Sequence, residues 1–480
     1  MERRLWKEEC GVAAVLCRDR TTLAGPLLHL ALYALQHRGQ ESAGMAASDG
    51  CRLCVHRDLG LVAQVFTPQA IRALEGWLAV GHVRYATMGS ATLANAQPIV
   101  VPSPWGPLAV VHNGNLINAP VLRRTLEGTG CVFTSSTDTE VIAHLIARAP
   151  AATLLEAVRY GMQRLEGAFT VVLLAGETIL GFRDRHGIRP LVLGGGPGFW
   201  MLASETCAFD HTAGQPYREV DPGELVVCTA DGARALPVLE VHRRAHCVFE
   251  YIYFARPDTA LFGRNVHQVR RRMGRILARE HPAAADLVVP VPDSGSSAAM
   301  GYAEEAGLPL EIGLIKNRYI GRTFIESSPA VRQAGVQIKL NAVREVVRGR
   351  RVILVDDSIV RGTTSARIVA LLRRAGARQV HMRVSSPPIR FPCFYGIDTS
   401  SRGQLIAATR SVEEIRAYLG ADSLGYLSQA GLVEALDLPA RVLCLACLDG
   451  RYPTRVPTEE EAGRAALERE TVQGGAPAAT

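Results

Sequence analysis

Two patterns of apolar and polar positions divide the chain near residue 240. Before that point, short apolar runs typical of strands alternate with turn signals and a few helices. The runs include GVAAVLC, LAVVHNG, TVVLLAG and ELVVCTADG. The segment GPLLHLALYALQ predicts a helix closed by Gly39. We therefore expect a sheet-rich α+β domain in this half of the chain.

From about residue 262 the order changes to strand, loop and helix. The segments DLVVPVPDSGSSAAMGYAEEAG and RVILVDDSIVRGTTSARIVALLRRAGARQVHMRV each combine an apolar strand, a loop of small residues and an amphipathic helix. This repetition predicts a parallel α/β sheet. The tail, residues 456–480, is expected to be a polar helix that frays into disorder.

Composition and charge narrow the class of protein. The 480 residues allow two or three domains, and no run approaches the ~18 apolar residues of a membrane span. The first nine residues lack the apolar core of a secretory signal, and eleven cysteines without such a signal favour reduced thiols or metal ligands. The net charge of +7 is dispersed, without helix-turn-helix or zinc-finger spacing. We therefore expect a cytoplasmic protein with no nucleic-acid or membrane partner.

Two adjacent acids, Asp356 and Asp357, end an apolar strand, and a Gly/Thr/Ser loop then opens a helix. Ligands of open α/β sheets bind beyond the carboxyl ends of the strands, and helix N-termini attract phosphate. The loop can therefore hold a phosphate, while the acids face vicinal hydroxyls or a hydrated Mg²⁺. In the alternative, the acids only cap a turn; the order of strand, acids, loop and helix favours the binding site. The loop residues are Arg361, Gly362, Thr363, Thr364 and Ser365.

This stretch resembles the loop of type I phosphoribosyltransferases that binds 5-phosphoribosyl diphosphate (PRPP). The resemblance implies that Ser294, in VPDSGSS, helps the acid pair to place one Mg²⁺ and the diphosphate. Only three of the 53 basic residues are lysines, and two of them, Lys316 and Lys339, fall in this half of the chain. A mobile lid with pyrophosphate contacts would suit both lysines. Solvated surface lysines are the alternative.

Cys10 begins the apolar run GVAAVLC after nine mostly charged residues. A thiol nucleophile needs a base, and no other base is evident nearby in the sequence. If residues 1–9 are removed as a propeptide, Cys10 carries a free α-amine, of which ~14% is unprotonated at pH 7, against ~0.04% for a lysine. Cys10 would then supply both nucleophile and base, as in N-terminal nucleophile enzymes. The alternative is a small buried residue at the start of a strand.

Three further motifs, GHVRYATMG, HNGNL and SSTDTEVI, resemble the glutamine-binding motifs of class II glutamine amidotransferases. Arg84 can clamp an α-carboxylate, and Asp138 can pair with an α-ammonium. The Asn113 side chain and the Gly114 N–H can form an oxyanion hole. Each residue alone has a simpler explanation, but their joint order after Cys10 is specific. The resemblance implies an αββα N-terminal nucleophile fold.

Two CxxC pairs, CRLC and CLAC, raise the alternative of a Cys₄ zinc site. CRLC alternates like a strand, which would point its two thiols to opposite faces, whereas CLAC could curl. The segments HCVFEYIYFARPD, PPIRFPCFYGID and CLACLDGRYPT resemble the cluster-binding segments of iron–sulfur glutamine PRPP amidotransferases. That resemblance implies a structural [4Fe–4S] cluster. Its implied ligands are Cys247, Cys393, Cys444 and Cys447.

From Cys10 to about Thr454 the chain resembles the iron–sulfur, propeptide-bearing amidophosphoribosyltransferase family. The resemblance implies an N-terminal nucleophile glutaminase domain over 10–240 and a type I phosphoribosyltransferase domain over 241–455. The implied reaction converts glutamine, PRPP and water to 5-phosphoribosylamine, glutamate and pyrophosphate, the entry to purine synthesis. It also implies a closed ammonia passage with residues 316–326 as lid, feedback by purine nucleotides, and a homotetramer.

Two other classes of protein remain as alternatives. A regulatory PRPP-binding protein would keep the acid pair and loop but would not need Cys10, Arg84 and Asp138. A different class II amidotransferase, coupled to a sugar isomerase or an ATP pyrophosphatase, would share the first domain and lack the acid pair followed by RGTTS. PRPP-dependent release of glutamate separates the three.

Overall fold

The computed structural model of the chain describes residues 10–85, 92–317, 340–397 and 402–458. The expected propeptide, Lys339, most of the expected lid and all but the start of the tail lie outside these ranges. Within the described residues no helix combines the length and the apolar character that crossing a membrane requires.

The described residues of the first half form two antiparallel sheets, of seven and six strands. The runs that predict strands in the sequence all lie in these sheets, so that prediction is confirmed. In spatial order the first sheet contains β11 (Gln215–Glu219), β9 (Val192–Gly196), β10 (Phe199–Ala203), β1 (Gly11–Cys17), β4 (Leu78–Arg84), β2 (Ser42–Ser48) and β3 (Leu53–Leu59). The second contains β13 (Gly232–Pro237), β12 (Glu224–Thr229), β8 (Thr178–Arg183), β7 (Gly167–Ala175), β6 (Leu108–Leu116) and β5 (Ile99–Val101).

The two sheets share one apolar core and carry helices on their outer faces. Strand β1 is buried along its whole length, which explains its uninterrupted apolar run. Helix α1 packs on β1 and β4, and α5 packs on β5 and β6, giving the expected αββα layers. The helices are α1 (Ala24–Ala34), α2 (Val62–Val65), α3 (Pro68–Ala73), α4 (Ala119–Gly128), α5 (Asp138–Ala147), α6 (Leu154–Arg164) and α7 (Cys207–Asp210).

The turn after α1 brings the chain back to the end of β4. The α-helix ends at Ala34, earlier than the expected closure at Gly39, and Gly39 instead ends a 3₁₀ turn over Gln36–Arg38. A Cβ at Gly39 would lie 2.6 Å from the backbone nitrogen of Arg84. Only glycine allows this approach, which carries the side chain of Arg38 toward the start of β1.

The second half contains a four-stranded parallel sheet, as predicted. Its strands are, in spatial order, β17 (Leu287–Pro290), β20 (Arg351–Asp356), β21 (Gln379–Val384) and β22 (Ser423–Tyr426). Short pairs join β14 (His246–Cys247) to β23 (Leu443–Cys444), β15 (Ala260–Leu261) to β16 (Arg264–Asn265), and β18 (Leu314–Lys316) to β19 (Leu340–Ala342). The helices are α8 (Val266–Glu280), α9 (Ser296–Ala306), Arg344–Val347, Thr363–Arg374, Ile406–Thr409, Val412–Leu419, Gln429–Leu436 and Ala446–Asp449.

Candidate active sites

Cys10 lies immediately before β1 and is buried, with 6% of its surface exposed. The register that pairs Gly11 with Val83 brings Cys10 to the end of β4, where Arg84 and Tyr85 lie. The Cys10 thiol donates to the Tyr85 carbonyl oxygen, with Sγ and O 3.4 Å apart. The fold therefore holds the expected nucleophile beside the arginine that is expected to bind the substrate carboxylate.

Asp138 is the first residue of α5, whose N-terminus is capped by the Thr137 hydroxyl. One carboxylate oxygen accepts from the backbone N–H of Leu116 at 3.1 Å, and the other lies 3.5 Å from Nδ1 of His112. Burial would raise the pKa of Asp138, but His112, the Leu116 N–H and Arg84 together hold that pKa below its usual value. Asp138 is therefore an ionised carboxylate close enough to Arg84 for their charges to interact. A site that binds the α-ammonium and the α-carboxylate of one amino acid requires such a pair of opposite charges.

Asn113 and Gly114 lie in β6, on the sheet that faces Cys10. The Nδ2 group of Asn113 is buried and has no hydrogen-bond partner among the described residues. A buried donor without an acceptor costs free energy, so its persistence favours a role toward a bound group. Gly114 has φ +142°, and a Cβ there would lie 2.1 Å from the carbonyl oxygen of Ala168. This position therefore admits only glycine.

Sequence reasoning missed the groups that hold these residues in place. His112 lies inside the quoted HNGNL motif, but its 3.5 Å contact with Asp138 depends on α5 packing against β6. Arg38 donates from Nε to the Cys10 carbonyl oxygen at 3.1 Å, although 28 residues separate the two. No spacing in the sequence signals this contact, because it arises from the turn that Gly39 permits.

The acid pair of the expected second site lies at the carboxyl end of β20. Asp356 is the last residue of that strand, Asp357 follows it, and both are buried. Asp357 accepts hydrogen bonds from the hydroxyls of Ser294, at 2.6 Å, and of Ser358. The structure thus brings Ser294, from the loop before α9, to the acid pair.

Burial raises the pKa of both carboxyl groups. The charge of Asp357 raises the pKa of Asp356 further, whereas the Ser294 and Ser358 hydroxyls offset part of the effect at Asp357. Neither carboxylate makes an ion pair with a residue in the described ranges. The charge of the buried Arg270 lowers the pKa of Asp357 without a direct ion pair, so the effect of burial is only partly offset. Two adjacent buried acids without a direct ion pair favour the binding of a cation.

The loop after the acid pair leads into the helix Thr363–Arg374. Gly362 caps that helix with φ +77°, and a Cβ there would lie 2.8 Å from Cδ1 of Ile406. The first backbone N–H groups of a helix have no partner within it, so those of Thr363, Thr364 and Ser365 face the loop. Arg361 donates to the Gln404 side chain at 2.7 Å.

Lys316, at the end of β18, lies 3.0 Å from a carboxylate oxygen of Asp293, one residue before Ser294. The lysine is therefore beside the loop that carries Ser294, but about half of its side chain is exposed. Both the lid contact and the solvated lysine remain open, and Lys339 lies outside the described residues.

Four cysteines from distant segments meet at the junction of the two halves. Cys247 and Cys444 are opposite each other in the parallel pair of β14 and β23. Cys447 follows in the helical turn Ala446–Asp449, so CLAC does curl. Burial raises the pKa of Cys447, and the nearby thiols of Cys393, Cys247 and Cys444 raise it further. The thiols therefore share one buried neighbourhood.

The described ranges contain no three His, Cys, Asp or Glu side chains close enough to share a single metal ion. Cys51 lies before β3 and is exposed, whereas Cys54 is within that strand, so the expected separation of the CRLC thiols is consistent with the fold.

The first half of the chain has two facing sheets with a cysteine at the start of a central strand. The second half has a parallel sheet with an acid pair and a phosphate loop. This combination defines the class of protein, which is a class II glutamine amidotransferase fused to a phosphoribosyltransferase. Family models agree, because residues 82–211 match the glutamine amidotransferase domain and residues 264–386 the phosphoribosyl transferase domain. The chain belongs to the amidophosphoribosyltransferase family.

Two curated relatives support that assignment. The amidophosphoribosyltransferase of Synechococcus elongatus is 47% identical over 472 residues, which cover 97% of this chain and 95% of the relative. The Bacillus subtilis enzyme is 47% identical over 454 residues, covering 94% and 95%. Glutamine PRPP amidotransferase from B. subtilis, solved with ADP and GMP, superposes with a TM-score of 0.88 over 93% of this chain and 98% of that one.

A second solved structure, described as the allosteric regulatory enzyme of purine biosynthesis, also has a TM-score of 0.88, at 46% identity, over 94% of this chain and 99% of that one. The predicted fold class and activity are thereby confirmed. The chain is a pentosyltransferase with a glutamine amidotransferase domain, and its reaction is the first step of purine biosynthesis.

Proposed function

We propose that the reaction is divided between two sites, with Cys10 as the nucleophile of the first and the Asp356–Asp357 loop as the PRPP site of the second. The observation that carries the proposal is the buried, unpartnered Nδ2 donor of Asn113 on the sheet facing Cys10. A tetrahedral oxyanion is the acceptor that such a donor suits.

In the first site, Arg84 binds the α-carboxylate of glutamine and Asp138 binds its α-ammonium. Removal of residues 1–9 frees the Cys10 amine, which takes the thiol proton as Sγ attacks the carboxamide carbon. Asn113 Nδ2 and the Gly114 N–H stabilise the oxyanion. The C–N bond then breaks, ammonia leaves with the proton from the amine, and water hydrolyses the thioester to glutamate.

In the second site, the helix N-terminus at Thr363, Thr364 and Ser365 binds phosphate of PRPP. The acid pair and Ser294 fit a Mg²⁺ ion, because oxygen ligands suit it and the two adjacent acids are buried without a direct ion pair among the described residues. The ion would supply charge neutralisation for the diphosphate. Ammonia reaches C1 of the ribose through a closed passage, because bulk water would protonate it.

Cys247, Cys444 and Cys447 are buried and Cys393 is partly exposed beside them, and these four thiols would hold a [4Fe–4S] cluster. Such a group would supply a structural link between the two halves of the chain. The relative solved with ADP and GMP supports feedback by purine nucleotides on this chain also. A cytoplasmic homotetramer completes the proposal.

Cys10→Ala is expected to abolish glutamine-dependent synthesis and to leave ammonia-dependent synthesis within about twofold, because only the first site loses its nucleophile. The matched control is Cys17→Ala, at the other end of β1, where burial raises the pKa of the thiol to about 12. That variant should retain both activities. Equal loss of both activities in Cys10→Ala would contradict two separable sites.

Processing is tested by the mass and N-terminus of the purified protein. A variant that cannot release residues 1–9 should have no glutaminase activity. Full activity in a chain that retains Met1 would overturn the role of the Cys10 amine.

A further inference from the structure

A network of four buried charged side chains lies behind Cys10. Arg38, Glu205, Glu250 and Arg189 are each no more than 1% exposed. Arg38 binds Glu250 through two parallel hydrogen bonds of 2.9 Å and also lies 2.6 Å from Oε1 of Glu205. The third donor of Arg38, Nε, holds the Cys10 carbonyl oxygen. One guanidinium thus binds the backbone of the nucleophile and two carboxylates.

Glu250 comes from the second half of the chain, three residues after Cys247. Arg189 approaches Glu250 at 3.5 Å and donates two hydrogen bonds, of 3.2 and 2.8 Å, to the carbonyl oxygen of Tyr395. Tyr395 in turn follows Cys393 by two residues. The network therefore connects the start of β1 to two of the segments that meet at the junction.

The network contains two arginines and two glutamates, and the His37 imidazole also lies 2.8 Å from Oε1 of Glu205. Burial would raise the pKa of Glu205, but His37 and Arg38 hold that pKa far below its usual value, so the carboxylate is ionised. Buried ion pairs seldom add stability beyond what apolar side chains would give, because desolvation offsets the attraction. Their use for fixing one geometry is better attested. The network is therefore better explained by a role in fixing the position of the backbone at Cys10 than by a contribution to stability alone.

Cys10 needs such a restraint after processing. A chain terminus has no covalent neighbour on one side and frays unless other contacts hold it. The Arg38 bond to the Cys10 carbonyl is a contact that survives cleavage, since it lies on the retained side. Arg38 can bind the Cys10 carbonyl only while its planar guanidinium group is correctly oriented. Glu250 orients that group through two hydrogen bonds.

We propose that Glu250 is a positioning residue of the glutaminase reaction, holding Arg38 so that Nε fixes the backbone of Cys10. Docking of the second half of the chain thereby completes the first active site. This inference rests on the proposed role of Cys10 as nucleophile.

The test is Glu250→Gln in the full-length, processed enzyme. The amide keeps the shape but places an NH₂ group against Arg38, so one of the two bonds is lost. We expect kcat for glutamine hydrolysis to fall about 10- to 100-fold, with KM for glutamine within twofold and ammonia-dependent synthesis unchanged. Alkylation of the Cys10 thiol by iodoacetamide should slow, and its pH profile should shift, because the geometry of amine and thiol is disturbed.

Glu250→Asp keeps the negative charge on a side chain that is one methylene shorter. Its kcat should be at least tenfold higher than that of Glu250→Gln, or equal to the wild-type kcat if Glu250→Gln loses less than tenfold. It also serves if the Gln variant does not fold. The matched control is Glu219→Gln, a carboxylate that accepts from the Phe262 N–H and lies outside the network. The control should leave kcat and alkylation unchanged.

Wild-type kcat and alkylation in Glu250→Gln would overturn the inference, as would a parallel loss of ammonia-dependent synthesis. Glutaminase activity in Cys10→Ala would instead overturn the proposed nucleophile. The two failures are therefore distinguishable.

Discussion

The two active sites manage buried charge in opposite ways. Around Cys10 the chain supplies partners for its own acids: Asp138 accepts from the Leu116 N–H and has its pKa lowered by the charge of Arg84, and Glu205 pairs with Arg38. At the second site Asp356 and Asp357 are buried without an ion pair among the described residues, and burial raises the pKa of both. The first site is thus balanced before substrate arrives, whereas the second depends on a cation and ligand for its balance.

The difference follows from where each site's reactive group originates. The proposed nucleophile of the first site is part of the chain, so the fold must hold it at all times. The second site binds a mobile, highly charged substrate, and a permanent internal counter-charge would compete with it. The comparison predicts which substitutions affect one site alone.

The largest effect is expected for Asn113→Ala. Loss of one oxyanion donor should lower kcat for glutamine-dependent synthesis about 10²–10³-fold and spare ammonia-dependent synthesis. Steady-state assays with both nitrogen donors measure it. Asn118→Ala is the control, since among the described residues that buried side-chain amide bonds to the backbone of Arg164 and Glu166; it should lower stability and keep kcat. Normal turnover in Asn113→Ala would remove the role of this side chain.

Asp357→Asn should raise the KM for PRPP at least about tenfold, or ~1.4 kcal/mol, because one of the two carboxylates that attract the cation is neutralised. Glutamine and ammonia should be affected equally as nitrogen donors. Titration of activity with Mg²⁺ should show a higher half-saturating concentration. Asp286→Asn, at the opposite end of β20 and paired with Arg351, is the control. An effect confined to the glutamine-dependent reaction would contradict the assignment of Asp357 to the second site.

Glu140→Gln tests how much a buried carboxylate whose hydrogen-bond partners all come from the first domain contributes to stability. Glu140 accepts hydrogen bonds from Thr134 and Ser135, and although burial opposes it, these bonds and His144 lower its pKa to about 2. Because the pKa is lowered on folding, its contribution is present above about pH 4.5 and is lost as the pH falls toward 2. We expect the variant to be less stable by about 1–3 kcal/mol at pH 7.

Thermal unfolding between pH 3.5 and 8 measures this effect. The difference from the native chain should be constant above about pH 5 and should shrink below it. A difference that grows with acidification would mean that Glu140 is protonated in the folded protein.

The smallest effect is expected for Lys316→Ala. Its half-exposed ion pair with Asp293 contributes at most about 1 kcal/mol to stability, and less in salt. If the lysine contacts pyrophosphate, the KM for PRPP should rise severalfold while the melting temperature barely changes. Arg279→Ala, an exposed basic residue of α8, is the control. An unchanged KM would favour the solvated surface lysine.

Much of both candidate sites could be predicted from the sequence, because many of their residues are neighbours along the chain. Asp356 and the loop Arg361–Ser365 follow one another along the chain, so local order alone places acids, loop and helix N-terminus together. The run GVAAVLC fixes a doubly buried strand, and Gly114 fixes a backbone conformation that other residues do not adopt. Such features depend on contacts between neighbours in sequence.

Other features required long-range packing. The CLAC segment was ambiguous until the pairing of β14 with β23 placed Cys444 opposite Cys247. Ser294 could be assigned to the acid pair only by resemblance, and its 2.6 Å bond to Asp357 depends on the order of the parallel sheet.

By itself, then, the sequence determined the two domain classes and predicted a candidate nucleophile and a candidate phosphate loop, since each depends on consecutive residues. Only the tertiary structure decided which charges stand behind the nucleophile. Arg38 and Glu250 are 212 positions apart, and their pairing follows from how two folded halves bury their surfaces against each other. No local pattern encodes that contact, because its free energy exists only once both halves are assembled.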